Sequence, residues 1–497
     1  MFEFFRSRFR RDPKNDGPTI VPRDRHSISR RNVSESALKV LYRLDKAGYE
    51  AYMVGGGVRD LLLGREPKDF DIATDARPEE VKRLFGNCRL IGRRFRLAHV
   101  RFGQDVVEVA TFRALAGAPE PEEIEDEDDD GRRPDRELDD GGRILRDNVW
   151  GTLEEDAFRR DFTVNALYYN IADFSVVDYT GGVKDLEDGK IRLIGEPESR
   201  YREDPVRMLR AVRFAVKLGF RIERGTEKPL RKLAPLLADI PAARLYEEVN
   251  KLFLAGVGVQ TFEMLRATGL FGQLFPQTEA ALSKEEQGFP MMFVIRALEN
   301  TDQRVAADRS VTPAFLYAAL LWEPVRLRAA ALQQRGMSEY EALRAAGEDV
   351  TDAQVQRVAL PRRFSVPMRE IWEMQDRFLL TQGKRAQRFI QHPRFRAAYD
   401  FFVLRAEAGE VDKQLAAFWT EAQELQGPDQ DAFFAGRGAP RGNQPQRQQP
   451  RQPQPPRAHD DDGAAPGPDG APRKRRRRRG GRGRRRGPGP GSAPPAE

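Results

Sequence analysis

Apolar residues along this chain recur at mixed intervals in its first third and then, from about Pro241 to Leu425, almost only at helical spacing. Order begins near Asn32. Leu38, Leu41 and Leu44 share one side of a helix that Ser34 can cap and that stops at Gly48. The pattern then predicts a strand over 49–54, a glycine turn with a short helix over 58–63, and a strand over 70–73. A helix after Pro78 ending near Phe85 follows, with strands over 96–102 and 106–112. These elements predict a small mixed sheet with helices over residues 32–180. LEEDAFRRDFTVNALYYN is amphipathic, and YREDPVRMLRAVRFAVKLGF, from Tyr201, reads as one long helix. The expected fold class is α+β, a mixed-sheet domain followed by an all-helical second half.

Three segments escape this periodicity. Residues 1–31 are basic and carry Pro13, Pro18 and Pro22, which predicts a mobile extension. Its Phe2, Phe5 and Phe9 could line one helical face and touch a membrane surface, although a frayed terminus is the simpler reading. Residues 118–142 are almost entirely Glu, Asp, Pro, Gly and Arg, a composition that cannot bury apolar surface and predicts a disordered insertion. Residues 427–497 turn Gln-, Pro-, Gly- and Arg-rich, culminating in RKRRRRRGGRGRRRG, and are expected to stay unfolded without a polyanion.

Composition narrows the class. With 497 residues, more than one domain is expected; thirty Phe and four Trp can build real cores, while 32% charged residues argue against a membrane protein. No run approaches the ~20 apolar residues of a membrane span, and the first residues lack the apolar stretch of a signal peptide. Cys88 is the single cysteine, which excludes an internal disulfide and a Cys-rich zinc site and fits a cytoplasmic protein. Net charge is +7, yet from Pro428 onward 16 Lys/Arg face 7 Asp/Glu, leaving 68 against 70 elsewhere. The cationic excess therefore belongs to the tail, with Arg475, Arg476, Arg477, Arg478 and Arg479 as its densest run, suited to holding RNA.

Candidate chemistry is concentrated in VGGGVRDLLLGREPKDFDIAT, Val54 to Thr74. Gly55, Gly56 and Gly57 lie between strand and helix, where backbone N–H groups can meet phosphate, though no Lys-Ser/Thr pair follows as a P-loop requires. Asp69 and Asp71, two apart on a predicted strand, would project from one face, and close carboxylates repel unless a divalent cation lies between them. Mg²⁺ suits such a pair with substrate phosphates. A solvated turn is the competing reading of an isolated DxD. Two residues compete for a third acid. Glu108 interrupts the apolar run VVEVATF, where a buried charge would be costly; it could join the site or pair with Arg93, Arg94 or Arg96. Asp161, beside Arg159 and Arg160, stands at a helix start suited to a nucleotide sugar or phosphate, or serves as a cap. Asp204, Arg207 and Arg210, spaced by three, would share a helix face that could read a base edge or form an ordinary ion pair.

Four motifs in this order resemble the class II tRNA nucleotidyltransferase and bacterial poly(A) polymerase family, within the polymerase-beta-like nucleotidyltransferases. They are GGxVRDxLLGxxxxDxD at Gly55–Asp71, RRDFTxNAL at Arg159–Leu167, GGxxDL at Gly181–Leu186 and EDPxRxLRAxRF at Glu203–Phe214. The resemblance implies a nucleotidyltransferase head (32–180), a nucleotide-binding neck (181–250), an RNA-binding body (251–426) and an RNA-binding tail (427–497). It implies that Asp69 and Asp71 hold Mg²⁺ in a two-metal mechanism, that Asp161 completes the acids, and that Gly56 and Arg59 meet triphosphate. Gly55 and Arg160 stand beside them as nucleotide contacts, and Asp204, Arg207 and Arg210 would face the base. LIGRRFRLAHV, Leu90 to Val100, looks like the segment that marks poly(A) polymerases of Gram-negative bacteria, and the likeness extends to GKRAQRFIQHPRFRAAYDFF near Phe402. Template-independent addition of AMP from ATP to RNA 3′ ends is therefore the expected activity, with RNA-decay proteins as candidate partners and no role for DNA. CCA addition to tRNA is the rival reading, and a non-catalytic RNA-binding adaptor a second one. The acidic insertion departs from the family pattern. With four His, and His459–Asp460 the sole HD pair, no phosphohydrolase activity is expected.

Overall fold

The computed structural model describes residues 17–92, 96–114, 149–284 and 289–435, together with the backbone of 136–138 and 144–147. Phe2, Phe5, Phe9, Arg93, Arg94, Arg475–Arg479 and most of 118–142 lie outside the described residues.

The head is an eight-stranded sheet in the order β1-β10-β9-β2-β3-β6-β5-β4. Its strands are β1 (Thr19–Val21), β2 (Ala51–Val54), β3 (Asp71–Thr74), β4 (Cys88–Ile91), β5 (Leu97–Phe102), β6 (Asp105–Thr111), β9 (Leu167–Asn170) and β10 (Val176–Asp178). The β3–β6 pair is parallel and the others antiparallel. A separate hairpin, β7 (Arg136–Leu138) and β8 (Ile144–Asp147), contradicts the unfolded reading for the end of the acidic insertion, because REL finds a partner strand across the glycines.

Period-two alternation sorts the sheet's side chains between two layers. Met53, Ile72, Val109 and Tyr169 pack on one face with Ala37, Val40, Leu41 and Leu44 of helix α1 (Glu35–Lys46), whose first turn Ser34 caps by accepting from the Ala37 N–H at 3.2 Å. Val54, Ala73 and Tyr168, each one residue along, turn to the opposite face and meet Leu153 and Ala157 of α4 (Leu153–Arg159). Between these run α2 (Gly56–Leu62) and α3 (Pro78–Leu84).

The extension over 1–31 is corrected for its second half. β1 extends the sheet edge beside β10, Ile28 is 1% exposed, and His26 Nε2 lies 2.9 Å from the Phe174 carbonyl. Thr19, Ile20 and Val21, between Pro18 and Pro22, have no period to betray them and stay largely exposed; their partner strand β10 orders them.

The GGxxDL motif is a clamp. Asp178 accepts from the backbone N–H groups of Thr180, Gly181, Gly182 and Val183, starting α5 (Gly182–Glu187), while Asp185 accepts from the Thr163 hydroxyl at 2.8 Å. A Cβ on Gly182 would sit 2.1 Å from the Thr163 carbonyl oxygen. Gly182→Ala is therefore expected to cost about 3 kcal/mol, as overpacking of rigid backbone does. Urea unfolding checks this, and a loss below about 0.5 kcal/mol, within the range of an ordinary surface change, would mean that the contact relaxes freely.

The neck starts with β11 (Lys190–Ile191), then α6 (Pro197–Glu203) and α7 (Val206–Leu218), and returns through β12 (Arg221–Ile222), parallel to β11. The single helix expected from Tyr201 is thus broken. Pro205 disfavours helical backbone at Asp204, which ends α6 in extended conformation.

The second half is helical: α8 (Arg224–Glu227), α9 (Leu230–Leu233), α10 (Ala242–Phe253), α11 (Gly258–Ala267), α12 (Phe271–Leu274), α13 (Pro276–Leu282), α14 (Phe289–Ala306), α15 (Pro313–Leu320), α16 (Trp322–Gln333), α17 (Glu339–Arg357) and α18 (Arg362–Glu373). These share one core with the head. A second core, built on Phe378, Phe389, Phe395, Phe402 and Trp419, is enclosed by α19 (Gly383–Ile390), α20 (Phe395–Glu407), α21 (Lys413–Glu424) and α22 (Gly427–Phe434). α22 corrects the unfolded reading at 427–434: Phe434 is buried against Trp419, an anchor its Gln- and Pro-rich surroundings conceal. No helix among the described residues is long and apolar enough to cross a membrane.

Candidate active site

Asp71 opens β3, and Asp69 lies in the loop before it, so the two are not strand neighbours as their spacing suggests. Gly57 brings them to the glycine turn: a Cβ there would stand 3.4 Å from the Asp69 carbonyl oxygen and 3.7 Å from Met53 and the Phe70 ring. Gly55, at φ 66, begins that turn in the left-handed region open to glycine. The parallel register Ile72↔Val109 carries Glu108 to the flank of Asp71, on the face opposite Ile72 and Val109.

The electrostatics reveal this proximity. Burial pushes the Asp71 carboxyl up, the charges of Glu108 and then Asp69 add to it, and Arg160 opposes them, leaving Asp71 at about 6. Asp69 is exposed and Glu108 half-exposed. The cost of burial expected for Glu108 therefore does not arise; of its expected partners Arg93 and Arg94 lie outside the described residues, Arg96 pairs with Glu79 at 2.7 Å, and Glu108 lies 3.2 Å from His99 Nε2. Asp71 and Glu108 thus share one face of the β3–β6 pair, with Asp69 in the loop before β3 near enough for its charge to act on Asp71. Among the described residues no three His, Cys, Asp or Glu side chains form a group that could hold a metal by themselves. Mg²⁺ does not need one, since it keeps several waters and binds through one or two carboxylates with substrate phosphates.

Arg160 is held facing this cluster. Its Nε donates to the Tyr168 hydroxyl at 2.8 Å and to Asp156 at 3.1 Å, its Nη2 to Asp156 at 2.9 Å, and its Nη1 lies 3.5 Å from where a Gly55 Cβ would be. Arg59, 3% exposed, donates to Asn165 at 2.6 Å and to Asp60 at 2.8 Å, with its Nη2 3.5 Å from the Cβ position of Gly56. Both guanidiniums therefore border the glycine turn.

Asp161 is held by a different set of partners. It precedes the 3-10 turn Thr163–Asn165 and accepts from Arg210 Nε at 2.7 Å, Asn165 Nδ2 at 3.2 Å and the Phe162 N–H at 2.8 Å. Burial pushes its carboxyl up, but the charge and hydrogen bond of Arg210 outweigh that, with help from Asn165 and Phe162, and hold it at about 2. Asp161 thereby fixes Arg210 of α7 against the head. Its side chain is 12% and that of Arg210 32% exposed, so Asp161→Asn is expected to cost about 2 kcal/mol at pH 7 by leaving a partly buried cation without its partner. A carboxylate depressed by folding stabilises above its unfolded value, and the wild-type advantage should fade as pH falls from about 4 towards 2. Urea midpoints against pH test this; a gap that does not narrow in acid would remove the ion pair as its cause.

Asp204, Arg207 and Arg210 do not lie on one continuous helix, since Pro205 separates Asp204 from α7, yet the charge of Asp204 still reaches Arg210. Asp204 pairs with Arg244 of α10 at 2.7 Å. Arg207 is buried and donates to Glu203 at 2.7 Å and to the Arg200 carbonyl at 2.9 Å. Sequence reasoning missed Asn165, which joins Arg59 to Asp161, and Arg200, whose Nη2 donates to the carbonyls of Arg159 and Arg160 at 2.7 and 2.8 Å. Asn165 stands within RRDFTVNAL, and that position in the motif is its one signal.

Models of three regions match the chain: "Poly A polymerase head domain" over 51–192, "Probable RNA and SrmB- binding site of polymerase A" over 219–282 and "Polymerase A arginine-rich C-terminus" over 335–482. The Poly(A) polymerase I of Escherichia coli O6:H1 is 51% identical over 84% of this chain and 88% of its own length. The chain belongs to the bacterial poly(A) polymerase family. The Haemophilus influenzae Poly(A) polymerase I is 46% identical over 84% of this chain and 90% of its own. Likeness to the CCA-adding side of the family is weaker: the Lactobacillus helveticus CCA-adding enzyme is 36% identical over 54% of this chain. The Bacillus stearothermophilus CCA-adding enzyme solved with CTP superposes at TM-score 0.50 and 25% identity, over 82% of this chain and 89% of that one. The family membership and the α+β fold read from the four motifs are thus both borne out.

Proposed function

We propose that this poly(A) polymerase extends RNA 3′ ends without a template, transferring AMP from ATP and releasing pyrophosphate at the carboxylate cluster of Asp69, Asp71 and Glu108. The observation that carries the reading is the β3–β6 register, which sets Glu108 beside Asp71 with Asp69 in the loop before it, an arrangement suited to sharing a cation; burial and these neighbours push the Asp71 carboxyl up to about 6. Asp69 and Asp71 would hold Mg²⁺, which when bound acidifies the attacking RNA 3′ hydroxyl and offsets charge on the leaving pyrophosphate. Glu108, on the same face, is the acid best placed to assist them. Asp161 acts through Arg210 as a positioning residue.

Arg160 and Arg59, each locked by two partners, would present guanidinium edges to the triphosphate beside Gly55 and Gly56 without losing further side-chain freedom at binding. The neck supplies the surface for the base. Arg210, anchored by Asp161, and Asp204, anchored by Arg244, are the groups whose hydrogen bonds would go unpaired with the wrong base, which supports discrimination of a few kcal/mol. The body and the Arg-rich tail would hold RNA through its phosphates.

The test supplies ATP or CTP alone to the chain with a generic RNA and with a tRNA lacking its terminal CCA. Expected is AMP addition to both RNAs, with CMP addition at least about 10²-fold slower, as a loss of a few kcal/mol implies. Efficient CMP addition to the tRNA would instead assign CCA addition.

A further inference from the structure

We propose that a groove across the start of α20 holds the stretch of RNA upstream of the 3′ end, as a site separate from the head's carboxylates; this rests on the polymerase reading above. Two hollows meet there. One, of about 300 Å³ between α14 and α20, is lined by three arginines, Arg304, Arg309 and Arg396, against two acids, Asp400 and Glu407, with Tyr399 beside them. The other, of about 450 Å³, is bounded by Phe395, Arg396 and the glutamines 391, 423, 426 and 430. Arg396 belongs to both. Its side chain is 73% exposed, pairs with Asp400 at 2.9 Å and lies 5.5 Å over the Tyr399 ring, which leaves a guanidinium plane on which a base can stack.

The lining chemistry favours a single-stranded polynucleotide. Gln423 and Gln430 donate their Nε2 groups to backbone carbonyls, at 3.0 Å to Trp419 and 2.9 Å to Ala422 and Leu425, so their Oε1 atoms are left to accept. Gln391 and Gln426 are exposed and offer donor and acceptor together, the pairing geometry that matches adenine N6 and N7. The arginines lie chiefly in the first hollow and the amides in the second, so a chain crossing Arg396 would meet phosphate contacts and then base-edge contacts. Arg388, exposed on α19, stands one turn before Gln391 and adds a cation near it.

The groove belongs to a different part of the fold from the chemistry. α20 packs on α14, α14 on α11 and α11 on α7, so three helix-to-helix steps link it to the neck helix. A very short primer at the carboxylates leaves the groove empty, whereas a long RNA reaches it.

The test compares the full chain with its Arg309→Glu/Arg396→Glu variant by fluorescence anisotropy, without ATP, using a labelled adenosine trinucleotide and a long oligoadenylate. Expected is about tenfold weaker binding of the long RNA, a salt slope reduced by about 1.4 for two lost phosphate contacts, and unchanged trinucleotide binding. AMP addition to the trinucleotide should also be unchanged, and Gln391→Ala/Gln426→Ala should narrow any preference for oligoadenylate over oligouridylate. Unaltered affinity and salt slope for the long RNA, or equal weakening of both RNAs, would overturn the groove. Because binding is read without turnover, a chain that adds no AMP refutes the polymerase reading and leaves the groove still decided by its affinities.

Discussion

Given ATP and RNA, an Asp69→Ala chain is expected to leave the RNA unextended, with AMP incorporation down by at least about 10³-fold, the equivalent of roughly 4 kcal/mol of transition-state stabilisation. Asp69 is exposed in the loop before β3, outside both apolar layers of the head, so the loss should come without a fall in melting temperature. RNA affinity should also hold. The phosphate contacts proposed for the body and tail would not depend on one head carboxylate, and anisotropy with labelled RNA would separate binding from chemistry. An Asp69→Ala chain that still turns over within tenfold of wild type would take this residue out of the metal site.

Asp71→Asn should be equally inactive but more stable than wild type above pH 6 in divalent-free buffer. The sign follows from the raised carboxyl: at about 6 in the folded chain and ~3.9 unfolded, Asp71 binds its proton more tightly when folded. Its favourable contribution is therefore full below about pH 4 and is lost as pH rises through about 6. The variant's advantage should vanish towards pH 4 and, at pH 7.5, should be reversed by millimolar Mg²⁺, which stabilises only the chain that binds it. Melting temperatures of the two chains against pH, with and without Mg²⁺, provide the check. A gap independent of both pH and Mg²⁺ would mean that Asp71 lies apart from the other acids.

How much of this is legible in the sequence depends on how local each determinant is. Ser34 announces the first helix because a cap and an apolar stripe lie within one turn of each other. Asp69 and Asp71 stand out in the sequence, but a shared strand face is not what joins them; the close approach at Gly57 and the neighbouring β6 do that, and neither has a short-range signature. Asp161 stands out as a candidate third acid, but its bond to Arg210, 49 residues away, has no sequence signal because motif spacing carries no distance. Pro205 is visible but outweighed by the long apolar period on either side of it, which joins α6 and α7 into one expected helix. Short edge elements are the least legible. β1 has three residues and its partner lies some 150 positions on.

That edge strand bears on how the protein can be handled. Strand β10 takes its outer hydrogen bonds from Thr19, Ile20 and Val21, so a chain trimmed to Asn32 as if the preceding residues were dispensable would bare a row of backbone donors and acceptors beside the buried Val176 and Val177. Such a margin invites the same margin of another molecule. Truncations meant to improve crystals should therefore begin before Gly17, and insoluble material from shorter versions would reflect sheet-to-sheet association rather than a failure of the helical half to fold.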